Sequence, residues 1–456
     1  MRRPAPGRNG VRLVLALVVL VSGGFLVSGW LQAPADATAV AANAADRRFA
    51  DRDQVVADRS GATVVTTDPP GGGGRAAILA FAADGRPLYH DDSYANYFDV
   101  DPDPPGSLTV LYVAGSRYET CPDRLVARTD RTFEDGCAEV VVERTHLTTG
   151  VTERLHTAVT AWDIWHDVDR VGEHRLLVAD ISRDRAFVLN TRTGEAEWEW
   201  TAERDIARDA GGQTGDWTHI NDVEALSDGR VMASLRNNDR VAFIDPGAGI
   251  DRDWTLGAED AYEVLYEQHN PDYIPAARGG PAVVVADSEN NRVVEYQRVG
   301  GRWHESWAWS DNRLRWPRDA DRLPGGHTLV TDSQGNRVLE LDERDRIVWQ
   351  VTVSTPYEAE RLGTGDESAT GQSKTALRND TVGGGDDSPR RPKSGLAWVV
   401  AFIRGPVVNG LLYVAPAWMT VADLAVAGVF VGALGTLSGL ELHWSRFGPE
   451  WLRRRW

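Results

Sequence analysis

The chain has 456 residues and a formal net charge of -18, and nearly all of its basic residues are arginine, because Lys374 and Lys393 are the only lysines. A surface this acidic repels the phosphates of nucleic acids, which argues against a nucleic-acid partner. The composition resembles that of proteins from salt-loving (halophilic) archaea. At about 1 M salt the Debye length falls to roughly 3 Å, so that repulsion between surface carboxylates is screened.

The N-terminal segment is apolar and follows a basic end. Residues 11–31 form an almost uninterrupted apolar run behind the arginines of residues 1–10. The run is long enough to cross about 30 Å of hydrocarbon. It therefore predicts a transmembrane helix, with residues 1–10 as a cytoplasmic tail. A cleaved signal peptide is the alternative, since Ala35, Asp36 and Ala37 form a small-x-small cleavage site.

The C-terminal part contains two more apolar segments. Residues 424–440 predict a second transmembrane helix, and residues 441–456 form a basic tail. With two crossings, both ends lie in the cytoplasm, and everything between them lies on the extracytoplasmic side of the cell membrane. Residues 396–419 are also apolar but contain Arg404 and two prolines. They predict an interfacial or re-entrant segment rather than a third crossing.

Two further features suit an exterior position. Residues 364–394 are rich in Gly, Asp, Ser and Thr, the composition of a disordered linker, and Asn379 begins an N-glycosylation sequon there. Cys121 and Cys137 lie in a stretch rich in turn-forming residues. In an oxidising compartment they are expected to form a disulfide, and two free thiols are the alternative.

Between the anchors, residues 61–363 contain an internal repeat. Each copy has a polar start followed by short apolar strands with turns between them, and most copies end in a strand that bears tryptophan. The four clearest copies start near Trp165, Thr218, Gln268 and Pro317. A unit of short strands that recurs about every 50 residues cannot bury its own faces, and radial stacking solves this problem. With two less regular copies upstream, the sequence predicts an all-β, six-bladed β-propeller, and residues 357–362 are expected to close its ring.

Histidine occupies the same position at the start of three successive copies. The three residues are His166, His219 and His269. Because the innermost strands of a propeller line its central channel, these side chains are expected to converge. Arg236 lies on the strand that follows His219, near the expected channel end of that strand. One permanent cation beside three titratable nitrogens is typical of a site that binds an oxyanion.

This ordered set resembles the aryl-sulfate sulfotransferases, which are bacterial periplasmic propellers. The family pattern is a histidine at the start of one blade, then His-x-Asn with a following Ser-x-Arg strand, then Gln-His at the start of the next blade. Here the pattern is matched by His166, by residues 219–221 with residues 234–236, and by residues 268–269. The resemblance covers roughly residues 162–351.

The resemblance implies transfer of a sulfonate from a small aryl sulfate to a phenolic acceptor, without a cofactor or metal. It implies that His269 is the nucleophile and becomes transiently sulfonated. It also implies that His166, His219 and Arg236 bind the sulfuryl oxygens and stabilise the leaving phenolate. The chemistry is consistent with these roles, because imidazole is a neutral nucleophile and a neighbouring guanidinium keeps it unprotonated.

Other interpretations of the same residues remain open. The three histidines could hold a metal ion in a propeller lyase or hydrolase. The protein could instead be a non-catalytic binding module at the cell surface, with the histidines as structural channel residues. Polar residues beside the histidines are candidates for orienting the imidazole rings, and two tryptophans are candidates for stacking on an aromatic acceptor. These residues are Asp167, Asn221, Asp222 and Asn270, and Trp165 and Trp217.

Overall fold

The computed structural model describes residues 6–33, 35–68, 76–129, 133, 136–161, 163–208, 210–212, 216–365, 367–368, 370–378 and 396–444. The chain divides into two compact units. One, the propeller unit, is Ala35–Asn409, and the other, the helical unit, combines Met1–Pro34 with Gly410–Trp456. Asn379, the predicted glycosylation position, lies outside the described residues.

The propeller unit forms six antiparallel sheets, which are the blades of a six-bladed β-propeller. Blade 1 contains β1 (Thr63–Thr67), β2 (Ile78–Phe81) and β3 (Pro87–Asp91). Blade 2 contains β4 (Asn96–Pro102), β5 (Thr109–Tyr118), β6 (Cys137–His146) and β7 (Val151–Thr160). Blade 3 contains β8 (Asp167–Gly172), β9 (Arg175–Asp180), β10 (Arg185–Asn190) and β11 (Ala196–Thr201).

The second half of the ring follows the same plan. Blade 4 contains β12 (Ile220–Ala225), β13 (Val231–Leu235), β14 (Arg240–Asp245), β15 (Gly249–Ile250) and β16 (Leu256–Gly257). Blade 5 contains β17 (His269–Ile274), β18 (Ala282–Asp287), β19 (Arg292–Val299) and β20 (Arg302–Trp309). Blade 6 contains β21 (Pro317–Asp319), β22 (Thr328–Asp332), β23 (Arg337–Leu341) and β24 (Ile347–Thr352).

The ring is closed by its last strand. β25 (Pro356–Arg361) is the innermost strand of blade 1 and pairs antiparallel with β1, in a register that places Thr63 opposite Arg361. The predicted six blades and the predicted closure by residues 357–362 are therefore confirmed. We call the face at which the innermost strands begin the upper face. The loops that join the second to the third strand of each blade lie on this same face, and the other loops within the blades lie on the lower face.

Apolar residues fill the spaces between blades. Tryptophans of the outer strands contribute to these clusters, for example Trp200, Trp307 and Trp349, each no more than 5% exposed. The predicted disulfide is present and joins Cys121 to Cys137, with their Cα atoms 5.2 Å apart. It closes the long upper-face loop between β5 and β6.

A ring of carboxylates connects the innermost strands. In five of the six junctions, a carboxylate of one innermost strand accepts a hydrogen bond from a backbone amide of the next. The acceptors are Glu358, Asp99, Asp167, Asp169, Glu224 and Asp319, and the donors are the amides of Val100, Val168, Val223, Ala225, Tyr273 and Ala359. The N···O distance is 2.8 Å from Tyr273 to Glu224 and 3.2 Å from Ala359 to Asp319. These bonds satisfy buried amides at the open edge of each strand. We call this set, with Asp272, the carboxylate ring.

The sixth junction, between blades 5 and 6, is bridged by Ser368. Its hydroxyl donates to Asp272 of β17, and its oxygen accepts the backbone amide of Arg322 at 2.6 Å. The predicted disordered linker over residues 364–394 is therefore wrong for its first part. Ser368, Ser373 and Lys374 are all buried against the propeller.

The polar composition of this closing segment has a structural cause. The Lys374 ammonium lies 3.0 Å from Asp345 and 5.0 Å from the centre of the Trp307 ring. The backbone amide of Lys374 donates to the buried Glu295 at 3.0 Å. Polar residues here satisfy buried charges. A segment of this kind therefore has the same amino-acid composition as a solvated linker.

Helices complete the structure. They are α1 (Pro6–Gln32), α2 (Ala37–Ala44), α3 (Asp123–Val126), α4 (Lys374–Arg378), α5 (Leu396–Phe402), α6 (Val408–Val414) and α7 (Val421–Trp444), with a π-helical turn at Ile403–Val407. Short 3-10 turns occupy Phe49–Asp51, Ile181–Arg183, Ala202–Arg204, Arg236–Asn238 and Ala276–Arg278.

Helices α1 and α7 are long and apolar enough to cross a membrane. Within the helical unit they pack side by side and antiparallel, because Arg12 pairs with Glu441 while Gly23 lies against Phe430. Glycine lets the two backbones approach closely, as is common between transmembrane helices. The antiparallel arrangement leaves the beginning of α1 and the end of α7 at the same side.

The bridge at the sixth junction generates a stability prediction. Replacing Ser368 with alanine leaves the amide of Arg322 and the carboxyl of Asp272 without this bond, which is expected to cost about 1–3 kcal/mol of unfolding free energy. In a domain of this size, the melting temperature should fall by roughly 2–4 °C per kcal/mol. Thermal unfolding followed by circular dichroism measures this. The exposed Ser310 changed to alanine is the matched control, and equal melting temperatures for both variants would contradict the bridge.

The carboxylate ring generates a second prediction, on pH. Burial raises the pKa of Asp99 well above its ordinary value, and neighbouring Glu358 and Asp167 raise it further. A carboxyl that holds its proton more tightly when folded destabilises the fold progressively as pH rises from its unfolded pKa of about 3.9 towards its folded pKa. The Asp99→Asn variant keeps the acceptor oxygen and loses the titration.

We therefore expect Asp99→Asn to gain stability relative to the unmodified protein as pH rises. Melting temperatures at pH 5 and pH 8 measure the effect, and the difference between the two proteins should be larger at pH 8. Asp84→Asn, at an exposed position, is the control. A difference that stays constant with pH would show that Asp99 does not titrate abnormally.

Candidate active site at the channel mouth

The three predicted histidines meet at the upper face. His166 and His219 immediately precede β8 and β12, and His269 is the first residue of β17. The ring centroids of His166 and His219 are 5.5 Å apart. The Tyr357 ring lies 6.1 Å from that of His166 and 6.5 Å from that of His269. The structure therefore brings the histidines of three consecutive blades to one place.

Each histidine is fixed through Nδ1. Nδ1 of His166 lies 2.8 Å from the carbonyl oxygen of Ile164, and Nδ1 of His219 lies 2.8 Å from Oδ1 of Asp216. A carbonyl and a carboxylate only accept hydrogen bonds, so Nδ1 carries the proton in both rings. The lone pair of each neutral ring is then on Nε2.

The same conclusion holds for His269, by a less direct route. Its Nδ1 lies 2.8 Å from Oγ of Ser288, and that hydroxyl lies 2.7 Å from the carbonyl oxygen of Pro317. The single hydroxyl proton of Ser288 is directed at the carbonyl, so Ser288 accepts from Nδ1 of His269. His269 therefore presents an unprotonated Nε2.

Burial and neighbouring cations keep the rings neutral. Burial lowers the pKa of His269 well below its ordinary value, and Arg236 and Arg318 lower it further. Burial also lowers the pKa of His166 strongly, with a smaller contribution from His219. For His219, burial and Arg236 lower the pKa, while Asp216 opposes the shift. Near neutral pH the site thus holds three neutral imidazoles.

Arg236 reaches the site as predicted, and a second arginine joins it. Arg236 pairs with Glu267. Arg318 donates from Nη1 to Asp68 at 3.2 Å, and its guanidinium lies over the Tyr357 ring at 4.7 Å. Within the described part of the chain, the Nε atoms of both arginines are buried without a hydrogen-bond partner. Two buried donors beside neutral imidazoles are suited to an oxyanion.

Two residues of the site, Arg318 and Tyr357, are missed by the sequence analysis. Tyr357 is 1% exposed, and its hydroxyl has no hydrogen-bond partner among the described residues. Burial raises the pKa of this hydroxyl well above its ordinary value, although Arg318 opposes the shift. Each of these residues precedes an acid-apolar-acid triplet, as His166 does. The triplets recur at residues 99–101, 167–169, 222–224, 319–321 and 358–360, and this spacing is the signal that could have found them.

The groups that orient the histidines also differ from the candidates in the sequence. Asp167 belongs to the carboxylate ring, and Asn270 donates to Glu358 at 2.9 Å. Asp216, Ser288 and the carbonyl of Ile164 orient the rings instead. Trp165 and Trp217 are buried in inter-blade clusters, so neither lies open to an acceptor. The aromatic rings beside the histidines are Phe98, stacked on His166 at 4.2 Å, and Trp316, 5.9 Å from His269.

Strained backbone surrounds the site. His219, Asn270 and Trp316 adopt positive φ angles of 48°, 32° and 48°. Residues other than glycine rarely adopt this conformation, which costs of order 1–3 kcal/mol each and is typical of functional sites. The three strained residues lie at the starts of β12, β17 and β21, where the innermost strands enter the channel.

Carboxylates, rather than the histidines, form the groups that could hold a metal ion. Among the described residues, three groups have ligand atoms within 4.8 Å of one another. They are Asp99, Asp101 and Glu358; Asp101, Asp169 and Glu367; and Asp272, Asp319 and Asp321. All three lie in the channel below the histidines. Their oxygen ligands suit a hard cation such as Ca²⁺.

Comparison with known proteins adds information on the fold. No family model and no curated protein matches the chain. Solved structures that are similar include a Bacteroides caccae protein of unknown function, at 11% identity over 66% of this chain and 98% of that chain, with a TM-score of 0.44. The periplasmic gluconolactonase of Pseudomonas aeruginosa matches at 14% identity over 66% and 99%, with a TM-score of 0.39.

The virginiamycin B lyase of Staphylococcus aureus, in a catalytically inactive form with quinupristin, matches at 9% identity over 66% of this chain and 87% of that chain, with a TM-score of 0.37. At these identities the likeness concerns the fold alone. None of these matches bears on the reaction, the substrate or the site residues of this chain.

The tautomers generate a prediction that does not depend on activity. In protein labelled with ¹⁵N-histidine, His166, His219 and His269 should show the correlation pattern of neutral rings protonated at Nδ1 at pH 7. His166 and His269 should stay neutral at pH 6, because their pKa values are lowered well below the ordinary value. Single His→Gln variants assign the signals. An Nε2-protonated or doubly protonated His269 would contradict the hydrogen-bond assignment.

Proposed function

We propose that the protein is an arylsulfotransferase, which moves a sulfonate group from an aryl sulfate to a phenolic acceptor through a sulfohistidine at His269. The observation that carries the proposal is the neutral His269, fixed by Ser288 so that Nε2 holds the lone pair. Arg236 and Arg318 supply the positive charge that a sulfuryl group requires. The resemblance of the ordered His166, His219, Arg236 and His269 set to the sulfotransferase family supports the same reaction.

The first half-reaction forms a nitrogen–sulfur bond. Nε2 of His269 attacks the sulfur of the aryl sulfate, the bond from sulfur to the phenolic oxygen breaks, and the electron pair leaves with the phenolate. Arg236 and Arg318 stabilise the sulfuryl oxygens and the departing phenolate. The Nδ1 proton stays on His269, in its bond to Ser288, so that the sulfonated ring is positively charged and is a good leaving group.

The second half-reaction reverses these steps with the acceptor. The acceptor oxygen attacks sulfur, the nitrogen–sulfur bond breaks, and its electron pair returns to Nε2 of His269. The phenolic proton is taken by the neutral Nε2 of His219 or His166, which are in position as general bases. Donor and acceptor occupy the site in turn, so ping-pong kinetics are expected.

The location completes the proposal. Helices α1 and α7 anchor the chain in the cell membrane, and the propeller lies on the extracytoplasmic side, where the disulfide between Cys121 and Cys137 is stable. The basic termini then lie in the cytoplasm, in agreement with the positive-inside rule. The acidic composition makes high salt the appropriate condition for assays.

A propeller lyase or hydrolase that depends on a metal ion is the second candidate. The three carboxylate groups of the channel favour it. A metal ion at the histidines themselves is disfavoured, because the positive charges of Arg236 and Arg318, which lower the pKa of His269, would also repel the ion. A non-catalytic binding module would need none of these groups.

The proposal predicts a strong effect of His269→Ala. With 4-nitrophenyl sulfate and phenol in high salt, the variant should lose at least about 10³-fold in kcat, because it lacks the nucleophile. Mass spectrometry of the unmodified protein mixed with donor alone should show a sulfonate on His269. His174, whose side chain is 42% exposed, changed to alanine is the control and should retain full activity.

The outcomes separate the candidates. Activity that is abolished by a chelator and restored by a divalent cation, without an adduct on His269, would favour the metal-dependent enzyme. Full activity in His269→Ala would exclude the sulfohistidine route. If the protein turns over no aryl sulfate and carries no adduct, the non-catalytic binding module is the remaining candidate.

A further inference from the structure

We propose that the site takes an amphiphilic substrate held in the lipid bilayer, with its aryl head group at His269 and its alkyl chain in the membrane. The reaction class rests on the proposed function, whereas the direction of access rests on contacts within the propeller unit. Both connections between this unit and the apolar helices begin at the upper face, next to the site.

The N-terminal connection is fixed at the upper face by Asp36. This residue follows helix α1 by four positions and lies at the start of α2. Its carboxylate accepts the hydroxyl of Ser354 at 2.6 Å and the amide of Ser354 at 3.3 Å. Ser354 lies in the loop that leads into β25, and Tyr357 of the site is three residues further on. The first connection is thus a few residues from the channel mouth.

The C-terminal connection is fixed beside the same mouth. Asn409 is buried, and its side chain donates to the carboxylate of Glu289 at 2.9 Å. The side-chain amide of Asn291 donates to the backbone carbonyl of Arg404 at 3.3 Å. Glu289 and Asn291 belong to the upper-face loop between β18 and β19. Ser288, which orients His269, is the first residue of that loop.

Glu289 connects this segment to the charges of the site. Burial raises the pKa of Glu289 to about 7, while the bond from Asn409 and the positive charge of Arg236 lower it. Asn291 accepts the backbone amide of Trp316 at 2.9 Å, and Trp316 is the aromatic neighbour of His269. The segment around the π-helical turn is therefore connected to the site by two routes. Glu289 lies between the segment and Arg236, and Asn291 lies between the segment and Trp316.

The attached segment exposes mainly apolar side chains, together with the charged Arg404. Its exposed large side chains are Val399, Val400, Phe402, Ile403 and Val407, between 39% and 49% exposed. Two of its polar groups, the Arg404 carbonyl and the Asn409 side chain, bond to the propeller. An exposed apolar patch on a segment that leads along the chain towards α7 is expected to enter the interfacial layer of a bilayer. The lower face differs, because the polar closing segment of residues 362–378 covers part of it.

Because both chain connections start beside the mouth, we expect the mouth to open near the bilayer, which favours substrates concentrated there. A phenol or aryl sulfate with an alkyl chain can present its polar head at the interface while the chain remains in hydrocarbon. Its local concentration near the mouth exceeds that of a soluble phenol. We therefore expect membrane-borne substrates to be preferred by the full-length protein in vesicles.

The position of the mouth can be measured without any activity. Single cysteines replace Arg313, in the upper-face loop before β21, and Arg302, at the lower-face start of β20; both arginines are exposed. Each full-length variant is labelled with a nitrobenzoxadiazole dye and reconstituted in vesicles containing doxyl-labelled phosphatidylcholine. The label at position 313 should be quenched several-fold more than the label at position 302. Equal quenching, or stronger quenching at position 302, overturns the proposal.

Kinetics test the substrate class. In the same vesicles, with 4-nitrophenyl sulfate as donor, kcat/KM for 4-dodecylphenol should exceed that for 4-ethylphenol by at least tenfold. The Ile403→Glu variant should lose this preference and keep its activity on 4-ethylphenol, while Val299→Glu, at an equally exposed valine on the lower face, should retain both. Equal values for the two phenols overturn the proposal. Absence of turnover with either phenol, and of an adduct on His269, refutes the proposed reaction instead, and the quenching result then still decides the direction of access.

Discussion

The structure depends on hydrogen bonds between neighbouring innermost strands. In each of these bonds, a side-chain carboxylate of one strand accepts a backbone amide at the open edge of the next. An innermost strand is paired on one side only, so its other edge would leave buried amides unsatisfied, at a cost of about 1–3 kcal/mol for each group. The carboxylate ring meets this requirement in five junctions, and Ser368 meets it in the sixth. The closing segment is therefore part of the fold and not an appendage to it.

The same ring fixes what the channel mouth contains. Because side chains alternate along a strand, a carboxylate held against the next blade determines where the residues before it point. Tyr357, His166 and Arg318 directly precede acid-apolar-acid triplets, and they lie at the mouth. A crowded set of acids with raised pKa values lies below, and a pair of arginines lies above, so the positive charge that attracts an anion is at the upper level.

The sequence contained enough to predict the six blades, the closure by residues 357–362, the disulfide and the convergence of the three histidines. It did not reveal Arg318 and Tyr357, because bulges in β12 and β17 place His219 and His269 three residues before Asp222 and Asp272. His166, by contrast, is only one residue before Asp167. Because the spacing differs between blades, the sequence does not show that the residues directly before the acids of the other blades also lie at the mouth. The closing segment was misjudged because a polar residue that satisfies a buried charge has the same composition signature as one in solvent.

The pairing of the last strand with the first has a consequence for biogenesis. Arg361 and Thr63 are hydrogen-bonded across a sequence separation of 298 positions, so blade 1 cannot be completed until almost the whole propeller has been synthesised. Until then, β1 presents an unpaired edge while α1 is already available to the membrane, and such edges are where chains associate wrongly. In the proposed membrane arrangement, α1 retains the nascent chain at the bilayer and keeps neighbouring copies apart during that interval, so the same helix would also act as a folding aid.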